Sequence, residues 1–276
     1  MAGVYIQPVM LRNLRSLLRT RFERTRSLDD LNRGVDVAEQ AINATPADHP
    51  DRAGWLNSLG NLLGRRFERT GSIDDLNRAV DITTRAVNDT PADHPDRAGR
   101  LTSLGNRLGK RFERTGSMDD LNRAVDIATR AVDATPADHP DRAGCLNNLG
   151  SWLGRRFKRT ESIDDLNRAV NITTRAVNDT QADHLNRARW LNNLGSWLGR
   201  RFKRTGSMDD LNRTVDIASQ AVDATPAGHP DRARRLNNLG NLLGRRFKRT
   251  GSIDDLNRAV DVATQAVNDT PADHPN

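Results

Sequence analysis

Along residues 50–94 apolar side chains return at every third or fourth position. Ala53, Leu56, Leu59, Leu63 and Phe67 fall on one stripe, and Ile73, Leu76, Val80, Thr83 and Val87 fall on a second. This spacing predicts two amphipathic helices, A and B, joined by a short turn. Pro50 suits the first position of helix A. Gly71 can take the left-handed conformation that stops a helix, and Ser72 followed by Asp75 reads as a capping box in which the shorter Asp replaces Glu or Gln. Helix B ends before the segment Thr-Pro-Ala-Asp-His-Pro. Helices of about 20 and 16 residues would be roughly 30 and 24 Å long.

The same pattern recurs. The run Asp-Asp-Leu-Asn-Arg begins at Asp29, Asp74, Asp119, Asp164, Asp209 and Asp254, a step of 45 residues with nothing inserted or lost. Copies therefore occupy residues 5–49, 50–94, 95–139, 140–184, 185–229 and 230–274, and 1–276 reads as a single array. Copies two and three differ at eight positions of 45. Copies two and four share residues at several of those positions, as do three and five, so the duplicated unit reads as a pair of repeats. A lone hairpin cannot shield its apolar seam, so each copy is expected to fold against its neighbour.

Periodicity also decides how to read the most chemically suggestive stretch, Arg155 to Val170. It places four cations, Arg155, Arg156, Lys158 and Arg159, just before the adjacent carboxylates of Asp164 and Asp165. Taken alone it suggests a phosphate site or paired acids. In copy two, however, Arg65, Arg66 and Arg69 lie in the last turns of helix A and Asp74 and Asp75 in the first turn of helix B, where the helix dipoles favour each sign. A charge-paired corner that occurs six times is a joint and not six active sites.

Composition narrows the classes. Only 36% of the 276 residues are hydrophobic and 4% aromatic, a polarity that is compatible with folding only because the apolar residues are periodic. No apolar run approaches the ~20 residues that span a membrane, and a soluble chain is expected. Cys145 stands alone, which excludes an intramolecular disulfide framework and a multi-cysteine zinc site and fits a reducing compartment; the cytoplasm is expected. The segment before Glu23 carries Arg12, Arg15, Arg19 and Arg21 without an acid and could be an organellar presequence. Leu11, Leu14, Leu18 and Phe22 nevertheless keep the register of the repeat, so it reads as the first helix A.

Leu56-x2-Leu59-Gly60-x2-Leu63, then Ala79-x3-Thr83-x2-Ala86-x4-Pro91, resembles the tetratricopeptide repeat pattern. The departures are Leu for both helix-A aromatics, Thr or Ala for the helix-B aromatic, and 45 residues against the usual ~34. The resemblance implies an all-α, right-handed α-solenoid, or superhelix, of six helix-turn-helix repeats with an extended helix A. More narrowly, Leu-Asn-Asn-Leu-Gly-Ser-Trp-Leu-Gly with Asp-His-Pro-Asp-Arg-Ala is similar to arrays found beside CHAT protease or nucleotide-binding, NOD-like receptor modules in fungal proteins. Neither neighbour, no phosphate-binding loop and no cysteine–histidine dyad is found here. Gly60 and Gly64 sit inside helix A, each costing about 1 kcal/mol against Ala. Close helix contacts are expected to offset that, with Ala79 and Ala86 as the small partners.

No catalytic, cofactor-binding or metal-ligating set emerges, and no cofactor is expected. The six histidines, His49, His94, His139, His184, His229 and His274, share one linker position. Equivalent positions of a stacked array lie ~10 Å apart, too far to share a metal, so they read as turn residues. The resemblance implies peptide binding along the concave face of the A helices. By alignment that face carries Asn57, Asn61 and Arg65; Asn106 and Lys110; Asn147 and Arg155; Asn192 and Arg200; and Asn237, Asn241 and Arg245. Asparagine amides can pair with a peptide backbone as donor and acceptor at once. Carboxylate-binding relatives place lysine where this chain has none, so recognition of a C-terminal carboxylate is not expected.

Two further positions vary sharply between copies. One holds Met10, Trp55, Arg100, Cys145, Trp190 and Arg235, and the other Leu17, Leu62, Arg107, Trp152, Trp197 and Leu242. A packed core rarely exchanges Trp for Arg. These sites are therefore expected to be partly exposed, with Trp55, Arg100, Trp152, Trp190, Trp197 and Arg235 as candidate specificity determinants. The formal net charge is +7. Basicity rises toward the C-terminal half, where Lys158, Lys203 and Lys248 replace Glu23, Glu68 and Glu113.

Together these features predict a non-catalytic scaffold whose partners are peptides or proteins. Two alternatives remain: the sensing array of a larger protease or receptor protein, and a basic helical-repeat nucleic-acid binder. The chain stops at Asn276, one residue past the proline that should open another helix A. This leaves the expectation that the array continues in a parent protein or that its uncovered last helix self-associates.

Overall fold

The computed structural model describes residues 3–181 and 184–269. They form two compact units, Met1–His139 and Pro140–Asn276. Among the described residues there are helices and no strands. The first unit contains α1 (Gly3–Thr25), α2 (Leu28–Ala44), α3 (Arg52–Thr70), α4 (Ile73–Asn88), α5 (Arg97–Thr115) and α6 (Met118–Asp133). The second contains α7 (Arg142–Thr160), α8 (Ile163–Asn178), α9 (Arg187–Thr205), α10 (Met208–Asp223), α11 (Arg232–Thr250) and α12 (Ile253–Asn268). Odd-numbered helices are A helices and even-numbered ones are B helices. Within each unit every helix packs on the next in the chain, and α3 also meets α5 as α7 meets α9. Each unit is thus a solenoid of three hairpins. Residues 270–274, including His274, lie outside the described residues, as do the side chains of Arg12, Arg15 and Arg19.

Helix starts and stops follow local chemistry. Gly71, Gly116, Gly206 and Gly251 end A helices with φ between 71° and 76°. Ser72 Oγ accepts from the Asp75 backbone N–H at 3.4 Å, and the serines before α6, α8, α10 and α12 do the same. Pro50 is not the first residue of helix A, because α3 begins two residues later at Arg52. The intervening turn is closed by the Arg52 backbone N–H donating to the His49 carbonyl at 3.0 Å.

The predicted stripes form the core. Leu56, Leu59, Leu63, Leu76, Val80, Thr83 and Val87 are buried, while Phe67 is half-buried and Ile73 lies at the exposed start of its helix. In α1, Leu18 and Phe22 are buried as the register requires, whereas Leu14 is exposed. The glycines inside helix A are explained by close contacts. A Cβ on Gly60 would run into the methyl of Thr83, across the hairpin, and one on Gly64 would run into the guanidinium of Arg107 on the following A helix.

The charged corner is a joint, with a narrower membership than expected. Arg66 grips Asp75 with two bonds, Nε to Oδ2 at 2.8 Å and Nη2 to Oδ1 at 2.6 Å. Arg111–Asp120, Arg156–Asp165, Arg201–Asp210 and Arg246–Asp255 repeat this fork geometry. The gripped aspartates are buried and their neighbours, such as Asp74, are exposed. Arg66 Nη1 also donates to Asn32 Oδ1 of the previous B helix at 3.2 Å, and Arg201 does so to Asn167 at 3.3 Å. The fork therefore ties the hairpin turn to the neighbouring hairpin. These bonds raise the Arg66 pKa and hold the Asp255 carboxyl below the usual range, Arg246 being the main cause.

Candidate peptide groove

The linkers position the A helices through hydrogen bonds of their own residues. His49, His94, His184 and His229 each accept through Nδ1 from the backbone N–H two residues on, at 3.0–3.1 Å. They are turn residues, as their position suggested. The adjacent arginine has a role that sequence reasoning missed. Arg187 Nη1 donates to the carbonyls of Val177 at 2.8 Å and Thr180 at 2.6 Å, closing the C-terminal end of the preceding B helix. Arg52, Arg97 and Arg232 reach the corresponding carbonyls. A cation recurring ten residues after the last helix-B valine was the available signal. Among the described residues no group of His, Cys, Asp and Glu is arranged to hold a metal ion.

At the two variable positions Met10 and Leu17 are exposed and Arg107, Arg235 and Leu242 half-buried, but most of the candidate specificity residues are not the partly exposed sites expected of them. Trp55, Arg100, Trp152, Trp190 and Trp197 are buried, with exposures of 2, 5, 8, 4 and 6%. Trp and Arg exchange here because of shape. Trp197 lays its indole on Gly154 of α7, where a Cβ would overlap the ring, just as the Arg107 guanidinium lies on Gly64 of α3. Both groups are flat slabs that fit a backbone lacking Cβ, and each meets polar neighbours at its edge or face. Arg107 Nη2 donates to Asn61 Oδ1 at 3.1 Å, and Lys158 Nζ sits 5.6 Å from the Trp197 ring centroid. At the other position, Arg100 donates to Thr90 Oγ1 at 2.5 Å and to Asp96 at 3.1 Å, and Trp190 stacks on His184 with centroids 5.1 Å apart. Arg235 alone of the six candidates is half-buried and lines a groove.

That groove, of 530 Å³, lies between α9, α10 and α11. Its floor is Leu191, Ile217, Ala218 and Leu242, with Gly195 and Gly199 allowing a close approach to the α9 backbone. Its walls carry Asn192, Arg200, Asn241 and Arg245, four of the residues expected to bind peptide, together with Ser196, Lys203, Arg235 and Asn238. Asn237 is exposed but does not line it. Asn147 is buried, 1% exposed, and its Oδ1 accepts from Asn193 Nδ2 at 3.0 Å, so this amide serves the stacking of α7 on α9.

In the first unit the same face is occupied by internal bonds. Arg65 Nη1 reaches Glu23 Oε1 at 3.4 Å, Lys110 pairs with Glu68, and Asn61 is taken by Arg107. Asn57 and Asn106 are half-buried, and Asn57 Oδ1 has no partner among the described residues. In the second unit the acid is gone. Lys158 and Lys203 stand where Glu23 and Glu68 stand, so Arg200 and Arg245 face lysines. The Lys158 pKa is lowered, first by burial and then by Arg200 and Arg155. Arg155 itself lies over the Trp152 ring at 5.1 Å.

The family model for the tetratricopeptide repeat matches residues 52–96, 97–141, 142–186, 187–231 and 232–276. No curated protein matches the chain. Among solved structures, BtubC (BKLC) from P. vanneervenii superposes with a TM-score of 0.59 at 18% identity, covering 91% of this chain and 93% of that one. A putative kinesin light chain of nearly identical TPR-like repeats from Podosopora anserina gives 0.53 at 17%, covering 79% and 97%. YrrB, described as a TPR protein with an unusual peptide-binding site, gives 0.52 at 17%, covering 84% and 96%. At these identities the likeness is one of fold.

Proposed function

Because the chain belongs to the tetratricopeptide repeat family, we propose that it is a non-catalytic interaction scaffold that captures extended segments of other proteins on its helix-A faces. The observation that carries this reading is the groove between α9, α10 and α11. An apolar floor runs beneath amides that offer donor and acceptor together, the combination an extended backbone requires. Asn192, Asn238 and Asn241 contact the ligand backbone, while Arg200, Lys203, Arg235 and Arg245 select its side chains. In the first unit Asn57 and Asn106 are the candidate contacts, beside cations already paired with glutamates. The single buried thiol of Cys145 fits work in the cytoplasm; no described helix is long and apolar enough to cross a membrane.

The test is a screen of the purified chain against an immobilised library of random decapeptides, followed by solution titration. Peptides that bind the parent protein and lose affinity on Asn241→Ala together with Asn192→Ala sustain the reading. Binding that is indifferent to both substitutions overturns it. The same groove would serve if the array senses ligands for a larger CHAT-protease or NOD-like receptor protein, the arrangement its repeat sequence resembles. A second copy of the chain is the other partner this reading admits. The outer face of α12 exposes Ile253 and Val260, each at 60%, at positions equivalent to Ile163 and Val170 of α8, on which α9 packs. Sedimentation that finds only monomer at all concentrations removes this partner.

A further inference from the structure

We infer that the second unit's groove is selective for acidic segments, binding extended peptides whose side-chain carboxylates recur at intervals of three residues or more. The inference rests on the peptide-binding reading above and adds the chemistry of the ligand.

It starts from a difference between the two units at one repeat position. In the first unit a glutamate near the end of α1 and of α3 neutralises a cation on the next A helix: Glu23 with Arg65, and Glu68 with Lys110. In the second unit the glutamate is a lysine, and the facing residue remains an arginine. The groove lining contains no aspartate or glutamate. Arg200, Lys203 and Arg245 have no carboxylate within ion-pair distance among the described residues, and Arg235 keeps an Nε with no acceptor. Three cations therefore converge on one channel without counter-charge, beside Arg235, whose Nη2 lies 4.0 Å from Asp231 Oδ2, and this raises the local potential for anions.

Like charges set facing one another in a folded protein are destabilising, so their persistence through two successive A helices calls for an anionic occupant. A peptide fits better than a nucleic acid. Single-stranded nucleic acid is held by bases stacked on exposed aromatic faces, and Trp190 and Trp197 of this unit are buried. The amides of Asn192, Asn238 and Asn241 instead match a peptide backbone. Spacing follows from geometry. The A helices that carry these cations, α9 and α11, do not touch each other, so they lie further apart than the roughly 8–10 Å of packed helices; with an extended chain advancing ~3.3 Å per residue, their cations meet carboxylates three residues apart or more.

The experiment uses the full chain and fluorescein-labelled decapeptides, titrated by fluorescence anisotropy near physiological salt. One peptide carries Glu at every third position, a second carries Gln there and a third carries Lys. The acidic peptide is expected to bind at least about tenfold more tightly than the Gln peptide, the sum of several charge-assisted contacts, and to weaken as salt rises. Lys203→Glu recreates the Glu–cation pair of the first unit, so it should fold, as circular dichroism will check, and lower acidic-peptide affinity about tenfold. Lys248→Glu makes the same charge change outside the groove and should leave affinity unchanged.

Equal binding of the Glu and Gln peptides overturns the acidic preference and leaves the peptide reading standing. Failure of all three peptides, when the random library also yields none, overturns both. If Lys248→Glu weakens binding as much as Lys203→Glu, bulk charge is responsible and the groove assignment falls. If a single-stranded RNA of equal charge displaces the acidic peptide at lower concentration and depends on Lys203, the occupant is a nucleic acid and the inference is wrong.

Discussion

Replacing Gly60 or Gly105 by Ala should have opposite effects, although the two glycines occupy the same position in adjacent repeats. In a helix interior Ala is favoured over Gly by about 1 kcal/mol. At Gly105 the new methyl would meet Ile127 Cγ2 at 3.6 Å and the Ala124 carbonyl oxygen at 3.8 Å, ordinary contact distances. Gly105→Ala is therefore expected to stabilise the first unit by roughly 0.5–1 kcal/mol. At Gly60 the methyl would overlap the methyl of Thr83. Thr83 is fully buried and stiff at χ1, and its hydroxyl is fixed to the Ala79 carbonyl at 2.7 Å. Overpacking of this kind costs about 1–3 kcal/mol, and an overlap with so rigid a neighbour belongs to the upper part of that range, above the helix-propensity gain. The net effect should be a loss of up to about 2 kcal/mol.

Ala128 replaces Thr83 in the third repeat, which supplies the control. Adding Thr83→Ala to Gly60→Ala should recover most of the loss, whereas the same substitution alone merely removes a buried methyl and hydroxyl. The measurement is native-state hydrogen exchange of the α3 and α5 amides, because a repeat array need not unfold in one step and a single urea midpoint would mix repeats. If Gly60→Ala protects as well as Gly105→Ala, or if Thr83→Ala brings no recovery, steric contact across the hairpin is not what selects glycine.

Glu161 ends α7 in the left-handed region at φ 57°, where the equivalent residues of copies two, three, five and six are glycines and that of copy one is Arg26; Glu161→Gly should stabilise the second unit by about 1 kcal/mol, read as a shift in its unfolding midpoint. The Arg246-held carboxyl of Asp255 has a folded-state pKa below its ordinary value. Its contribution to stability is thus complete above about pH 4 and is lost as pH falls through the lower folded value. Urea midpoints should decline on that side, and Asp255→Asn should flatten the decline while lowering stability at neutral pH. Arg107→Trp should leave the first unit folded with stability changed by less than about 1.5 kcal/mol, since Trp197 already occupies the same seat. Arg107→Glu, which lacks the flat delocalised surface and buries an unpaired anion, should destabilise it by about 3 kcal/mol or more, as near-ultraviolet dichroism during denaturation will show.

The hairpin was legible because each of its determinants is local. Stripe period, the Gly71 stop and the Ser72 cap all act within a few residues, and repetition turned a weak signal into a strong one. The joint was only half legible. Charge order pointed to a corner, but Arg65 and Arg66 are neighbours in sequence and lie on different faces of α3, so one grips Asp75 while the other reaches Glu23. The burial of Trp55 and Arg100 was illegible for a related reason. Exchange of Trp for Arg is read as tolerance at a surface, yet here the partner is a backbone or a helix end that accepts any flat, long group.

The groove shows where a single repeat stops being informative. Whether a cation such as Arg245 is free depends on the residue 42 positions earlier, on a different hairpin, and the two come to one face only when A helices stack. Read one copy at a time, Glu68 and Lys203 are interchangeable exposed residues at a helix end. Read across the stack, the first completes an ion pair and the second removes one. A change that costs a surface helix almost nothing can therefore convert a self-satisfied face into one that demands an external anion. In an array of near-identical hairpins, ligand preference is then written in the relation between copies, and substitutions that repeat at one position on successive A helices are where it should be sought.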